Sequence, residues 1–409
     1  MPPSHEIRGW SRLVAGFADR VLVDTVHDMH RTISHGAFRW VGPIGRPLEA
    51  AYDTVTDGIY DAVRASLRML GELGAVAADH LGTEEATPSP AATKARAIAH
   101  GVVNEDLIAL APELDIDLTL RHEGRDLPAD PEALQDAYPD ASDRIAVFLH
   151  GLVDSEDVWF TRPDEGPMMP HIAAELGVTA VLVRYGTGRA VGHNGDDLTD
   201  LLEDLVASWP VPVAELQIVG HSMGGLVARA AGYAAVSRGH TWTSSLTDIV
   251  YLGTPHLGSW LEKAANVGTW TMRHSSRYSA PIGTLIDARS RGIKDLRYGT
   301  LLEDGWGDTP IDDLLTGLVP DEPWSEGVTH HLIVGRLRAS VRHPLNAVFG
   351  DALVRTGSAS GVGKRRRIGV GGEVVVVPVE ASHTRLARHP AVTEVVADVL
   401  GRRRPGRPD

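Results

Sequence analysis

The sequence predicts an α/β fold in which a mostly parallel central sheet is covered by helices on both faces. Two observations predict this class. From about residue 115, apolar runs rich in β-branched residues alternate with segments of helical periodicity. These runs are almost continuously hydrophobic, as is typical of strands buried on both faces of a parallel sheet.

A helical extension is predicted to precede this pattern, over residues 1–82. Apolar side chains recur there at helical spacing in two stripes, which Gly and Pro separate in "VGPIGRP". The stripes comprise Trp10, Val14, Phe17 and Val21, and then Leu48, Tyr52, Val55, Ile59, Val63, Leu67, Leu70 and Leu73. Residues 83–114 are predicted as linker and lead-in, because "LGTEEATPSPAATK" has a linker-like composition.

The α/β domain itself is predicted over residues 115–402, with 403–409 as a basic tail. "DIDLTLRH" and the turn "EGRD" predict an edge hairpin, and "RIAVFLHG" predicts a buried central strand. A helix is expected over 196–208, because five apolar residues share one face there. The remaining elements are strands at "VTAVLVRY", "LQIVG", "DIVYLGTP", "HHLIVGR" and "EVVVVPVE", a helix from Met223, and a last helix after Pro390.

Residues 259–328 interrupt the alternation with a long segment rich in Gly, Trp and charge. An excursion of about 70 residues in a compact α/β domain is usually an inserted lid rather than a plain loop, so a lid is predicted. Additional scaffold helices without a gating role are the alternative. Within this segment, "RSRGIKDLRYG" places Arg and Lys near Asp295 in the sequence. These residues could brace the lid, shape the substrate entrance, or form an ordinary surface ion-pair cluster.

Composition excludes several functional classes. The net charge of −15 argues against nonspecific nucleic-acid binding, and the absence of cysteine excludes disulfides, thiolate metal sites and cysteine nucleophiles. No apolar run reaches about 18 residues and the N-terminus has no secretory h-region, so a cytoplasmic protein is expected. "GSASGVGKRRR" lacks the spacing and the hydroxyl of a phosphate-binding loop, so nucleotide binding is not predicted. His27, His30 and His35 lack the further ligands of a metal site, and neither a metal nor another cofactor is predicted.

The segment Gly220-His221-Ser222-Met223-Gly224 matches the pattern G-x-S-x-G. An apolar strand enters it and an amphipathic helix leaves it. The glycines allow a tight corner that leaves Ser222 exposed beside a helix N-terminus, where developing negative charge is stabilised. This context favours a catalytic nucleophile over a serine that only caps a helix.

A serine nucleophile needs a histidine base and an acid that orients this histidine. The chain order Ser, acid, His places the base after the last predicted strand, which favours His383 over His389, the residue before Pro390. Asp351 is the first carboxylate after the penultimate strand and is the predicted acid. Glu380 and Asp312 are the alternatives.

Two backbone N–H groups are predicted to form the oxyanion hole. One is the N–H of Met223, which follows the nucleophile, and the other is the N–H of Leu152 in the loop after the first central strand. His150-Gly151 allows the backbone of this loop to approach closely, and His150 is expected to brace the loop rather than act as the base.

The motifs "HG", "GHSMGG", "LGTPHLGS" and "GD-LV---SA-G" together resemble those of α/β-hydrolase lipases and esterases, of the PGAP1-like and bacterial triacylglycerol-lipase types. The resemblance covers roughly residues 115–400. It implies the α/β-hydrolase fold and ester hydrolysis through an acyl-serine. It assigns Ser222 as nucleophile, Asp351 as acid, His383 as base, and Leu152 with Met223 as the oxyanion hole.

The acid loop departs from the pattern D-G-x-V of related lipases, because this sequence reads Asp351-Ala352-Leu353-Val354. Some bacterial lipases of this type bind calcium near this loop, but no clustered carboxylates call for calcium here. The segment 289–299 also resembles a stretch of bacterial hydrolases.

The predicted partner is a small-molecule or lipid-like ester. An acyltransferase with the same triad, or a non-catalytic binding protein that kept the fold, are the alternative functions. The N-terminal stripes could contact a membrane surface, cover the hydrolase domain or form a dimer, and the oligomeric state is not predicted.

Overall fold

The computed structural model describes residues 8–10, 12, 90–160, 169–256, 291–295, 327–336, 373–381 and 383–402. Of these, the residues through Asp115 belong to one compact unit and those from Ile116 onward to a second. The predicted helical hairpin of the N-terminus lies outside the described residues, apart from residues 8–10 and 12, which are helical. Most of the predicted lid and the basic tail also lie outside them.

The first unit contains helix α1, Pro90–Leu110, and a 3-10 turn at Pro112–Leu114. Leu107 and Leu114 bury their side chains together with Ala111, and Trp10 packs against them. The helix lies inside the segment predicted as linker and lead-in. Its proline stands at the first helical position, where a missing N–H costs nothing, and the Ala-rich sequence that follows favours a helix.

In the described residues, the second unit is built on an eight-stranded sheet in the order β2-β1-β4-β3-β5-β6-β7-β8. The β1–β2 hairpin pairs antiparallel with β4, and all strands from β4 to β8 along this order run parallel. The strands are β1 Thr119–His122, β2 Arg125–Leu127, β3 Arg144–Leu149, β4 Thr179–Arg184, β5 Glu215–His221, β6 Leu246–Leu252, β7 Thr329–Gly335 and β8 Glu373–Val379.

Helices cover both faces of this sheet, and each face has its own apolar core. The helices are α2 Pro131–Ala137, α3 Met169–Glu175, α4 Val191–Ser208, α5 Met223–Arg238, α6 Arg291–Asp295 and α7 Pro390–Gly401. Apolar residues of α4 and α5 pack on one face, and those of α3 and α7 pack on the other. Every residue of β3, β5 and β7 is buried, as a sheet covered on both faces requires. The predicted fold class is confirmed.

The α4–α5 pair depends on a close approach at Gly195 of α4. A Cβ built on Gly195 would overlap the Ala230 Cβ of α5 and would lie 2.9 Å from the Ala230 carbonyl carbon. The glycine therefore sets the distance between the two helices. Since α5 begins directly after Ser222, this contact also supports the position of the serine turn.

Substitution of Gly195 by alanine is expected to destabilise the protein, although alanine is the better helix former by about 1 kcal/mol. Overpacking should lower the free energy of unfolding by about 1–3 kcal/mol, measured by urea denaturation. The matched pair Asp204→Gly and Asp204→Ala, at an exposed position of α4, reports helix propensity alone. If the change from Gly to Ala raised the free energy of unfolding at position 195 by as much as it does at position 204, the close contact would be contradicted.

Candidate active site

Ser222 lies at the junction between the last residue of β5 and the first residue of α5. Its backbone has φ 52° and ψ −115°, a conformation that residues other than glycine rarely adopt. Such a conformation costs on the order of 1–3 kcal/mol and persists only where its surroundings enforce it. Here the Ser222 N–H donates to the Leu252 carbonyl oxygen of β6 at 2.8 Å, which holds the turn against the sheet.

The glycines of the motif make this turn sterically feasible. A Cβ on Gly220 would lie 2.6 Å from the Gly225 nitrogen. A Cβ on Gly224 would lie 2.5 Å from the Leu149 carbonyl oxygen and 2.6 Å from that of His150. The first turn of α5 therefore packs directly against the end of β3.

His383 lies in the 3-10 turn His383–Arg388, which follows β8. Its Nε2 is 2.8 Å from the Ser222 Oγ, and both residues are only 5% exposed. His221 donates from Nε2 to the His383 carbonyl oxygen at 3.1 Å, so the residue before Ser222 fixes the backbone of His383. The structure thus brings together two residues that are 161 positions apart in the sequence.

A mostly parallel, helix-covered sheet whose fifth strand leads into a strained G-x-S-x-G turn is the arrangement of α/β-hydrolases. The described residues of the second unit have the α/β-hydrolase fold. The family model of the PGAP1-like alpha/beta domain matches residues 197–274, a range that includes β5, Ser222, α5 and β6. No curated protein sequence matches the chain.

Among solved structures, the chain is similar to lipases and a thioesterase. The mature Bacillus licheniformis lipase BlEst2 is 17% identical, with 69% of this chain and 97% of that chain covered and a TM-score of 0.40. Aspergillus fumigatus lipase B is 11% identical, with coverages of 71% and 57% and a TM-score of 0.38. The Vlm2 thioesterase domain is 17% identical, with coverages of 70% and 97% and a TM-score of 0.30.

The loop after β3 is organised by His150, which is fully buried. The Tyr185 N–H can only donate, so the His150 Nε2 at 3.3 Å accepts from it. The neutral ring then carries its proton on Nδ1, which donates to the Gly151 carbonyl oxygen at 3.0 Å. Burial holds the pKa of His150 below its ordinary value, and this favours the neutral ring that the two bonds require.

These contacts determine the direction of the Leu152 N–H. The Gly151 carbonyl oxygen accepts from His150 Nδ1 and also from the Asp154 N–H at 3.2 Å. Because a trans peptide is planar, the Leu152 N–H in the same peptide points the opposite way. Gly151 itself lies beside Ser222, since a Cβ on it would be 3.2 Å from the Ser222 Cβ.

The residues at the end of β4 hold this loop in several places. The Tyr185 hydroxyl donates to the His150 carbonyl oxygen at 2.6 Å, and the two rings stack at 4.4 Å. The Thr187 Oγ1 accepts from the Val153 N–H at 3.2 Å, which supports a residue whose φ is 54°. Sequence reasoning missed both residues, because no local pattern links "RYGT" to the loop after β3.

A buried ion-pair cluster also anchors the loop after β3. Glu156 is 2% exposed and accepts from Arg184 Nε at 2.7 Å and Nη2 at 2.6 Å, and from Arg121 Nε at 2.9 Å. Burial would raise the pKa of Glu156, but the hydrogen bonds and charges of Arg184 and Arg121 outweigh it and hold this pKa low. The carboxylate therefore ties the loop to β1 and β4.

The remaining candidates have different outcomes. Asp351 and Asp312 lie outside the described residues. Glu380 is exposed directly after β8, and His389 occupies the N-cap position of α7. His256 is buried against Tyr251, where burial and the charge of Arg229 hold its pKa well below the ordinary value. The structure thus places His256 between the Tyr251 ring and the Arg229 guanidinium.

Two further properties concern the described part of the chain. No cluster of three or more His, Asp or Glu side chains could hold a metal ion there. None of the helices in these ranges has the length and apolar character needed to cross a bilayer.

Proposed function

We propose that the chain is a serine hydrolase that cleaves carboxylic esters through an acyl-serine intermediate. The observation that carries this proposal is the 2.8 Å contact between the Ser222 Oγ and the His383 Nε2 at a strained strand-to-helix turn. A serine hydroxyl is a weak nucleophile unless a base within hydrogen-bond reach takes its proton. This contact meets that requirement.

In the acylation step, the Ser222 Oγ attacks the ester carbonyl carbon while its proton passes to His383 Nε2. A tetrahedral intermediate forms and carries a negative charge on the former carbonyl oxygen. Its collapse breaks the bond to the alcohol oxygen, which takes the proton from His383 and leaves. In the second step, His383 accepts a proton from water as the water oxygen attacks the acyl carbon. Collapse of this second tetrahedral intermediate breaks the bond to the Ser222 Oγ, which takes the proton back from His383, and the carboxylic acid is released.

The negative charge of the intermediate needs donors that are already oriented. We assign this role to the N–H groups of Met223 and Leu152. Met223 is the first residue of α5, where helix geometry leaves the N–H without an acceptor in the helix and the helix dipole favours an anion. The Leu152 N–H is oriented by the two hydrogen bonds to the Gly151 carbonyl oxygen.

His383 must also present the correct ring nitrogen to Ser222, and in a triad an acid bonded to Nδ1 ensures this. Asp351 is the proposed acid, since it follows β7 and precedes β8 in the sequence, in the chain order of hydrolases. The proposed substrate is an ester with an acyl or lipid-like group. The close Ser222–His383 contact also argues against a non-catalytic protein that only kept the fold.

Ser222→Ala is expected to lower kcat for p-nitrophenyl ester hydrolysis by at least about 10³-fold, because the nucleophile is lost. Steady-state kinetics check this, and circular dichroism confirms that the variant folds. Ser237→Ala, at the other end of α5, is the matched control and should keep wild-type turnover. His383→Ala should match Ser222→Ala, and Asp351→Asn should be milder. Substantial turnover by a folded Ser222→Ala protein would refute the assignment.

The role of His150 can be tested with two amides of different reach. The asparagine side-chain amide lies near the position of Nδ1 and can still donate to the Gly151 carbonyl, whereas the glutamine amide lies near Nε2. His150→Asn should therefore keep kcat within about threefold, while His150→Gln should lower kcat about 10–100-fold with little change in KM. Equal kcat values for the two variants would show that the Nδ1 donor does not orient the loop.

A further inference from the structure

Helix α4 lacks a capping residue of its own. Its N-cap residue is Ala190, whose side chain cannot accept a hydrogen bond, and its first turn contains no acidic residue. The missing acceptor comes from a distant part of the chain. Asp295, at the end of α6, accepts from the Val191 N–H through Oδ2 at 2.9 Å, and it is only 2% exposed.

The rest of α6 is fitted to the loop that precedes α4. The Gly292 N–H donates to the Gly188 carbonyl oxygen at 3.0 Å. A Cβ on Gly292 would overlap the Thr187 carbonyl oxygen and would lie 2.9 Å from that of Arg189. Only glycine permits this approach, so the capping carboxylate and a backbone-to-backbone contact hold α6 in one position.

This position is next to the candidate active site. The Cβ position of Gly292 is 3.1 Å from the Cε of Met223, so α6 lies against the side chain of the residue that follows the nucleophile. The loop that precedes α4 also supports the loop after β3, since the Thr187 Oγ1 accepts from the Val153 N–H. One loop therefore connects α6 with the backbone around the proposed oxyanion hole.

We propose that Asp295 is a positioning residue that caps α4 and thereby fixes α6 as a wall of the substrate site beside Met223. This inference rests on the proposed esterase function. It assigns a role to two residues of the segment "RSRGIKDLRYG": Gly292 allows α6 to approach the loop before α4, and Asp295 attaches α6 to the Val191 N–H. The Arg291 Nε lies 3.8 Å from the Asp295 carboxylate. The wall constrains the acyl group that can be placed against Met223.

The kinetic test compares Asp295→Ala with Asp295→Asn, whose amide oxygen can still accept from the Val191 N–H. Asp295→Ala should change the ratio of kcat/KM for p-nitrophenyl octanoate and butyrate by about tenfold, mainly through KM. Asp295→Asn should stay within about threefold of the wild type. Asp130→Ala is the matched control, because Asp130 caps α2 through two N–H groups but is exposed. It should leave the chain-length ratio unchanged.

A second readout does not depend on catalysis. Release of α6 should expose the peptide bond after Arg291, so trypsin should cleave Asp295→Ala there at least about fivefold faster than the wild type, as followed by mass spectrometry. Gly292→Ala should show the same acceleration, although alanine favours a helix locally. Both variants can also be digested in a Ser222→Ala background, where no ester turnover takes place.

The outcomes separate the two proposals. A wild-type protein without ester turnover would remove the proposed function, and the trypsin assay would still judge the attachment of α6. If Asp295→Ala keeps the chain-length ratio and the cleavage rate of the wild type, the positioning role is overturned. The positioning role is supported if Asp295→Ala changes both readouts while Asp295→Asn keeps both close to the wild type.

Discussion

The backbone of Ser222 is the constraint on which the rest of the site depends. A non-glycine residue with φ 52° and ψ −115° must be held by its neighbours, and three features hold this one. Glycines on both sides let α5 pack against the end of β3, the Leu252 carbonyl accepts the Ser222 N–H, and the buried strands on either side keep β5 in place. The hydroxyl can therefore reach His383 while the Met223 N–H lies at the start of the helix.

The loop after β3 follows from the same arrangement, because it packs on this turn and needs support from elsewhere. That support comes from the end of β4. Tyr185 and Thr187 hold the backbone of the loop, Arg184 binds Glu156, and His150 links the loop to the Tyr185 N–H. Because these bonds involve buried groups, each would leave an unsatisfied partner if broken, which makes the loop rigid. A preorganised loop is what stabilisation of a developing oxyanion requires.

Much of this fold could be predicted from the sequence, because the informative signals are local. Apolar runs locate the strands, and the glycines around Ser222 mark the sharp turn. The contacts of Tyr185, Thr187 and Asp295 could not be predicted, since they join segments far apart and their residue types have many uses. The Asp295 bond to Val191, for example, spans 104 positions. Composition also misleads at α1, because Pro and Ala after residue 89 are as typical of a linker as of a helix start. The acid remains a prediction from chain order alone.

The most direct test of the central claim is labelling with a fluorophosphonate, which reacts only with an activated serine. The adduct should map by peptide mass spectrometry to the peptide that contains Ser222, and to no other serine at comparable occupancy. His383→Ala should label at least about 100-fold more slowly, because the base that accepts the hydroxyl proton is missing. A folded wild-type protein that stays unlabelled, or whose adduct maps to another serine, would contradict the account.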